Sequence, residues 1–154
     1  MLLSLDVEQF NNQCIFITDS IRNTVIDNSS FIRIIYSNNN VILNGIVIRI
    51  PFKDFQINKY FNKWRCNFSI NENEELVNRI NNIERQILEK VDVTDKQSCY
   101  RIKEQLENGH IKTFVEEYVN DTFFHNNVDI LLKISGIWVS EKEYGITYKF
   151  ILTH

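Results

Sequence analysis

The sequence predicts a mainly β domain, a small barrel or curled sheet carrying an α insertion before its closing hairpin. Three observations support this. Val128 to Leu152, VDILLKISGIWVSEKEYGITYKFIL, sets two apolar, β-branched runs around the polar segment Ser140-Glu141-Lys142-Glu143, the pattern of a β-hairpin. The first half of the chain alternates apolar and polar residues at the strand period of two. From Asn71 the period changes to that of a helix.

Taken in order, Cys14 to Thr18 is a short β-rich run and Ser30 to Ser37 a longer one. Asn38-Asn39-Asn40 supplies a hairpin turn, because Asn tolerates left-handed backbone conformations. Val41 to Phe52 follows, with Ile42, Ile46, Ile48 and Ile50 alternating with Val41, Leu43, Val47 and Arg49. Both faces are apolar as far as Arg49, which predicts a central strand bent or bulged at Gly45. Lys63 to Ile70 sets Trp64, Cys66, Phe68 and Ile70 against Lys63, Arg65, Asn67 and Ser69, a half-buried strand. Asn71 or Asn73 is placed to cap a helix whose first turn holds Glu72, Glu74 and Glu75. Leu76, Ile80, Ile83 and Ile87 then form an apolar stripe. It fits packing against the sheet, or alternatively a homodimer through helix 72–91. A second helix is expected from about Ser98 to Glu107, ending at Asn108-Gly109, and Ile111 to Phe124 is compatible with either element type. With no repeat and no Gly-, Ser- or Pro-rich linker, residues 1–154 are expected to form one domain with 72–109 as a helical insertion.

Composition narrows the function classes. The 154 residues are 44% apolar and 12% aromatic, enough for a packed core. The net charge of −3 argues against a strongly electrostatic duplex-DNA binder. Charge is nevertheless polarised: Ile32 to Ser69 carries Arg33, Arg49, Lys53, Lys59, Lys63 and Arg65 against Asp54 alone, while glutamates crowd the central third. Cys14, Cys66 and Cys99 lack paired metal spacing, His110, His125 and His154 form no ligand pair, and no metal or cofactor is expected. The motifs of serine hydrolases, nucleotide-binding loops, zinc proteases and dithiol redox centres are missing, so enzymatic activity is not expected. The amino terminus has no signal-like stretch and the apolar runs are shorter than the ~20 residues of a membrane helix, so a soluble, intracellular protein is expected.

Aromatic residues interleaved with cations on strands can stack bases and neutralise phosphates. The candidate nucleic-acid contacts on that logic are Arg33, Tyr36, Arg49, Lys53, Arg65, Lys133, Trp138, Tyr144, Tyr148 and Lys149. Tyr36, Tyr144 and Tyr148 are the preferred stacking rings, whereas Trp64 and Trp138 are compatible with either core or surface.

Two stretches, SSFIRIIYSNNNVILNGIVIRIPF and LLKISGIWVSEKEYGITYKFI, resemble segments of the single-stranded DNA-binding proteins of large eukaryotic DNA viruses. Gly136-Ile137-Trp138, Tyr144-Gly145 and Tyr148-Lys149 carry most of that likeness. The resemblance covers the strands but not the helical middle. It implies an OB-like five-stranded barrel akin to the T7-like phage single-stranded DNA-binding protein. It also implies that the chain holds single strands during viral DNA replication, recombination or repair, with replication proteins as partners. The phage-type proteins end in an acidic tail with a terminal aromatic, where this sequence reads Phe150-Ile-Leu-Thr-His154. From a different class, a non-enzymatic structural or protein-interaction module of such a virus fits the same composition.

Overall fold

The computed structural model describes residues 3–22, 28–61, 63–115 and 128–153. Its centre is the closing hairpin, β11 (Asp129–Val139) and β12 (Glu143–Thr153), numbered in chain order with the other strands. Outward from β11 run β6 (Ile46–Ile50) and β1 (Leu5–Asp6). Outward from β12 run β10 (His110–Val115), β8 (Lys63–Asn67) and β7 (Gln56–Tyr60). β4 (Ser30–Ser37) shares the β6 edge of β11 and carries β2 (Ile15–Ile17), β3 (Ile21–Arg22) and β5 (Ile42–Asn44). β9 (Gln97–Cys99) adds to the start of β12.

The expected hairpin, the strand over Ser30 to Ser37 and the Asn38–Asn40 turn are present. The Asn38 side chain closes that turn by accepting from the amides of Asn40 and Val41. The mainly β class with two helices before the hairpin therefore stands, whereas the five-stranded barrel does not describe this sheet. The sheet is open and mixed, and it runs from β1 to β7 through more than five strands. β7 escapes sequence reading because its side chains Gln56, Asn58, Lys59 and Tyr60 are those of an exposed edge, with no apolar alternation to reveal them.

Gly45 breaks the Val41–Phe52 run as expected. Its φ is +84°, its amide donates to the Ile34 carbonyl at 2.8 Å, and an added Cβ would lie 2.8 Å from the Ile134 carbonyl oxygen. At that point β11 changes partner, pairing with β6 over Ile130–Ile134 and with β4 over Gly136–Val139. A bulge at Ser135 absorbs the change.

One face of the sheet is covered by α1 (Glu74–Leu88) and α2 (Arg101–Glu107). The stripe Val77, Ile80, Ile83, Ile87 and Leu88 joins Ile32, Ile34, Ile48, Ile134 and Phe150 in a single core. Full burial of each such side chain is worth about 1.5–3 kcal/mol. Of the two readings of this stripe, packing on the chain's own sheet is the one observed: Ile80 and Ile87 have no exposed surface left for the alternative, a homodimer through helix 72–91. Asn73 stands at the N-cap position of α1, but its side chain makes no capping hydrogen bond. Its buried amide instead donates to the Lys53 and Ser69 carbonyls and accepts from the Lys53 amide, tying the loop after β6 to the helix start.

Candidate nucleic-acid interface

The other face of the sheet carries the candidate site. Strand pairing sets Lys133 opposite Lys149 and Lys112 opposite Arg65. The pairing of Thr113 with Phe150 puts Lys112 level with Lys149. Lys133, Lys149, Lys112 and Arg65 therefore form one rung of cations across β11, β12, β10 and β8. At ~4.8 Å between strands, the rung spans ~14 Å. Like charges directly opposite one another destabilise a sheet. Lys63 stands close by, and its charge holds the Lys112 ammonium below its ordinary value of 10.5.

The neighbouring rung is different in kind. It runs Arg49, Leu131, Ile151 and Phe114, then reaches Lys63 and Tyr60 at the sheet edge. Leu131 and Ile151 are buried, whereas Phe114 and Tyr60 are 47% and 54% exposed. A cationic rung thus lies beside an apolar and aromatic one. Carboxylates keep to the margins. Asp129 and Asp6 flank Arg49 at 3.1 and 4.0 Å, Glu143 stands at the hairpin end, and Glu104 approaches from α2.

Where α2 replaces a strand along the edge of β12, a groove of about 450 Å³ opens. It is lined by Arg101, Glu104, Lys112, Phe114, Tyr148 and Lys149 among others. A second cleft, of about 560 Å³, follows the solvent side of α1. Among the described residues its one cation, Arg79, is already paired with Glu75, so they offer no convergent charge.

α2 owes its position to a buried carboxylate. Glu84 of α1 has no exposed surface and accepts from the Ile102 and Lys103 amides, each at 2.9 Å, satisfying two donors at the start of α2. Burial raises the Glu84 pKa above its ordinary value, and these two hydrogen bonds oppose the shift. α2 in turn receives the Tyr148 hydroxyl, which donates to Gln105 Oε1 at 2.8 Å and lies 3.2 Å from the Arg101 carbonyl. Burial pushes that hydroxyl up to about 12.

Of the residues named from sequence, Arg65, Lys133 and Lys149 come together on one rung, and Arg49 begins the next. Arg33 is exposed on the same face, beside Gly136. Lys53 lies on the loop after β6, outside both rungs. The preferred tyrosines are corrected. Tyr36 is only 2% exposed and packs near Phe10, while Tyr144 and Tyr148 pack against the core. The cause is strand parity: even positions of β4 and β12 share the inner face with Ile34, Ile146 and Phe150.

The two tryptophans divide. Trp64 packs against the core, with the Lys59 ammonium 5.7 Å from its ring centroid. Trp138 faces outward over Gly145, where an added Cβ would come within 2.8 Å of the ring, and Arg101 stands 5.2 Å from its centroid. Lys112, Phe114 and Tyr60 are site residues that sequence reasoning misses. The alternation of buried Ile111 and Thr113 with exposed Lys112 and Phe114 is the available signal, in a stretch that sequence alone leaves undecided.

Among the described residues, no cluster of three or more His, Cys, Asp or Glu could hold a metal ion, and no helix is long and apolar enough to cross a membrane. His125, His154 and most of the undecided 111–124 stretch lie outside the described residues. No protein-family model, curated protein or solved structure matches this chain.

Proposed function

We propose that this chain binds single-stranded DNA without sequence preference, acting as a binding protein rather than an enzyme. The observation that carries this reading is the rung Lys133–Lys149–Lys112–Arg65 set beside the apolar rung ending in Phe114 and Tyr60. A backbone laid along the cations would place its bases toward the rings. Phosphates would relieve the repulsion within the rung, and stacking on Phe114 or Tyr60 would contribute ~1–3 kcal/mol per base. Neither kind of contact reads base identity. The resemblance to viral single-stranded DNA-binding proteins supports the same reading, with displaced strands in viral DNA replication, recombination or repair as the setting.

The test is a titration of labelled oligo-dT, mixed-sequence single strand and matching duplex over a range of salt. The single strands should bind alike and the duplex far more weakly. The double variant Lys112→Gln/Lys149→Gln should flatten the log–log salt slope by roughly 1.4, at ~0.7 for each phosphate no longer neutralised. Tighter binding to the duplex overturns the proposal, as does an unchanged slope in the variant. A protein-interaction module is the second reading. It is favoured by Phe16, Ile21 and Ile42, which are 55%, 49% and 78% exposed on the strands around β4. It would prevail if none of the three DNAs binds.

A further inference from the structure

The hairpin formed by β7 and β8 has an unusual tip. Tyr60 pairs with Lys63, so the connection between the two strands is tight and begins at Phe61. Phe61 has φ +56°, a left-handed conformation that a bulky L residue rarely adopts, and the residue is 82% exposed. A tight turn of this kind favours Asn, Asp or Gly at such a position. Phe61 therefore carries backbone strain without gaining burial, and strain of that kind concentrates at functional sites.

The ring is also held in place. The Arg65 guanidinium lies 4.6 Å from the Tyr60 centroid. Tyr60 in turn meets Phe61 edge-on, with centroids 4.8 Å apart and planes at 85°. Tyr60 ends the aromatic rung on the edge strand, and Arg65 of the cationic rung stands against its ring, so the tip lies beside the β8 end of both rungs.

We infer that Phe61 is a stacking pin for the junction between single-stranded and duplex DNA. The terminal base pair of a duplex presents an uncovered π face at such a junction. Phe61 would stack on that face while the emerging strand follows the rung from Arg65 to Lys133. The inference rests on the proposed single-strand binding and adds a structural preference to it. The cations at the base of the tip favour a nucleic acid over an apolar protein partner.

The variant Phe61→Gly tests it, because glycine relieves the strain and keeps the hairpin. The probes are a DNA hairpin carrying a dT overhang and the same dT strand alone, with melting temperature measured in parallel. Wild type should bind the junction about tenfold more tightly than the free strand, a gain of the size expected for one stacked aromatic. Phe61→Gly should lose that preference, retain its affinity for dT, and melt at the same temperature or higher. Wild type that binds dT without preferring the junction overturns the pin alone, as does a variant that keeps the preference. Failure of wild type to bind either probe overturns the single-strand reading as well.

Discussion

Successive residues of β12 enter two environments with opposite demands. Ile146, Tyr148, Phe150 and Leu152 point to the helices, where apolar surface is closed and Tyr148 finds a hydrogen-bond partner on α2. Lys149 points the other way, between Lys133 and Lys112. The inner face resolves its buried carboxylate internally, since Glu84 meets two backbone amides. The outer face leaves its cations facing cations. One surface is arranged for stability and the other departs from the pairing rule that stability favours, which is the pattern expected where a sheet serves a polyanion.

The largest effect that separates the faces should come from Glu84. Glu84→Ala leaves the buried Ile102 amide and the partly buried Lys103 amide without their acceptor, and should lower unfolding stability by about 1–4 kcal/mol in a denaturant titration. A loss below about 1 kcal/mol would show that the start of α2 finds other partners. The same residue sets a pH dependence. With its folded pKa raised above the ordinary 4.5, the folded state keeps the proton to higher pH than the unfolded chain does. The Glu84 contribution is then fully favourable below 4.5 and declines as pH rises toward the folded pKa. Comparison with Glu84→Gln should isolate that decline, and parallel pH profiles for the two proteins would remove the assignment.

Aromatic substitutions should divide by face. Phe114→Ala should weaken oligo-dT binding by about 1–3 kcal/mol and change stability by no more than about 0.5 kcal/mol. Tyr148→Phe should do the reverse. It removes the hydroxyl bonded to Gln105, lowers stability by about 0.5–1.5 kcal/mol, and leaves dT affinity unchanged. Weaker dT binding in Tyr148→Phe would return that tyrosine to the interface.

This division shows which parts of the molecule are legible in the sequence. The closing hairpin, β4 and α1 announce themselves through apolar periodicity, because each buries a full face. Which face each strand turns inward is harder to read. In β12, two tyrosines next to charges look like surface groups, yet Tyr144 and Tyr148 share parity with Ile146 and Phe150. The cationic rung is half visible: Arg65, Lys133 and Lys149 stand out as candidates, but their alignment depends on pairings between segments far apart in the chain. Lys112 completes the rung only because β10 lies between β8 and β12, and no local pattern encodes that neighbourhood. Phe61 leaves no signal, since an aromatic at a turn becomes informative only once its backbone conformation is known.

The smallest effect gives the most direct test of the comparison. Lys133 is half-buried and stands opposite Lys149, so in the free protein its charge meets a like charge across the strand pair. Lys133→Gln keeps most of the stem and removes the charge. If the rung costs stability, this variant should be more stable by a few tenths of a kcal/mol at low salt, the lower end of the range for cross-strand pairs. The gain should shrink as salt screens the repulsion, because the Debye length falls to about 3 Å at 1 M. The same variant should bind oligo-dT more weakly and reduce the salt slope by roughly 0.7. Gain in one measurement and loss in the other are the signature of a charge retained for a ligand. A variant less stable than wild type at low salt would instead give Lys133 a structural role, and the outer face would then follow the same rule as the inner one.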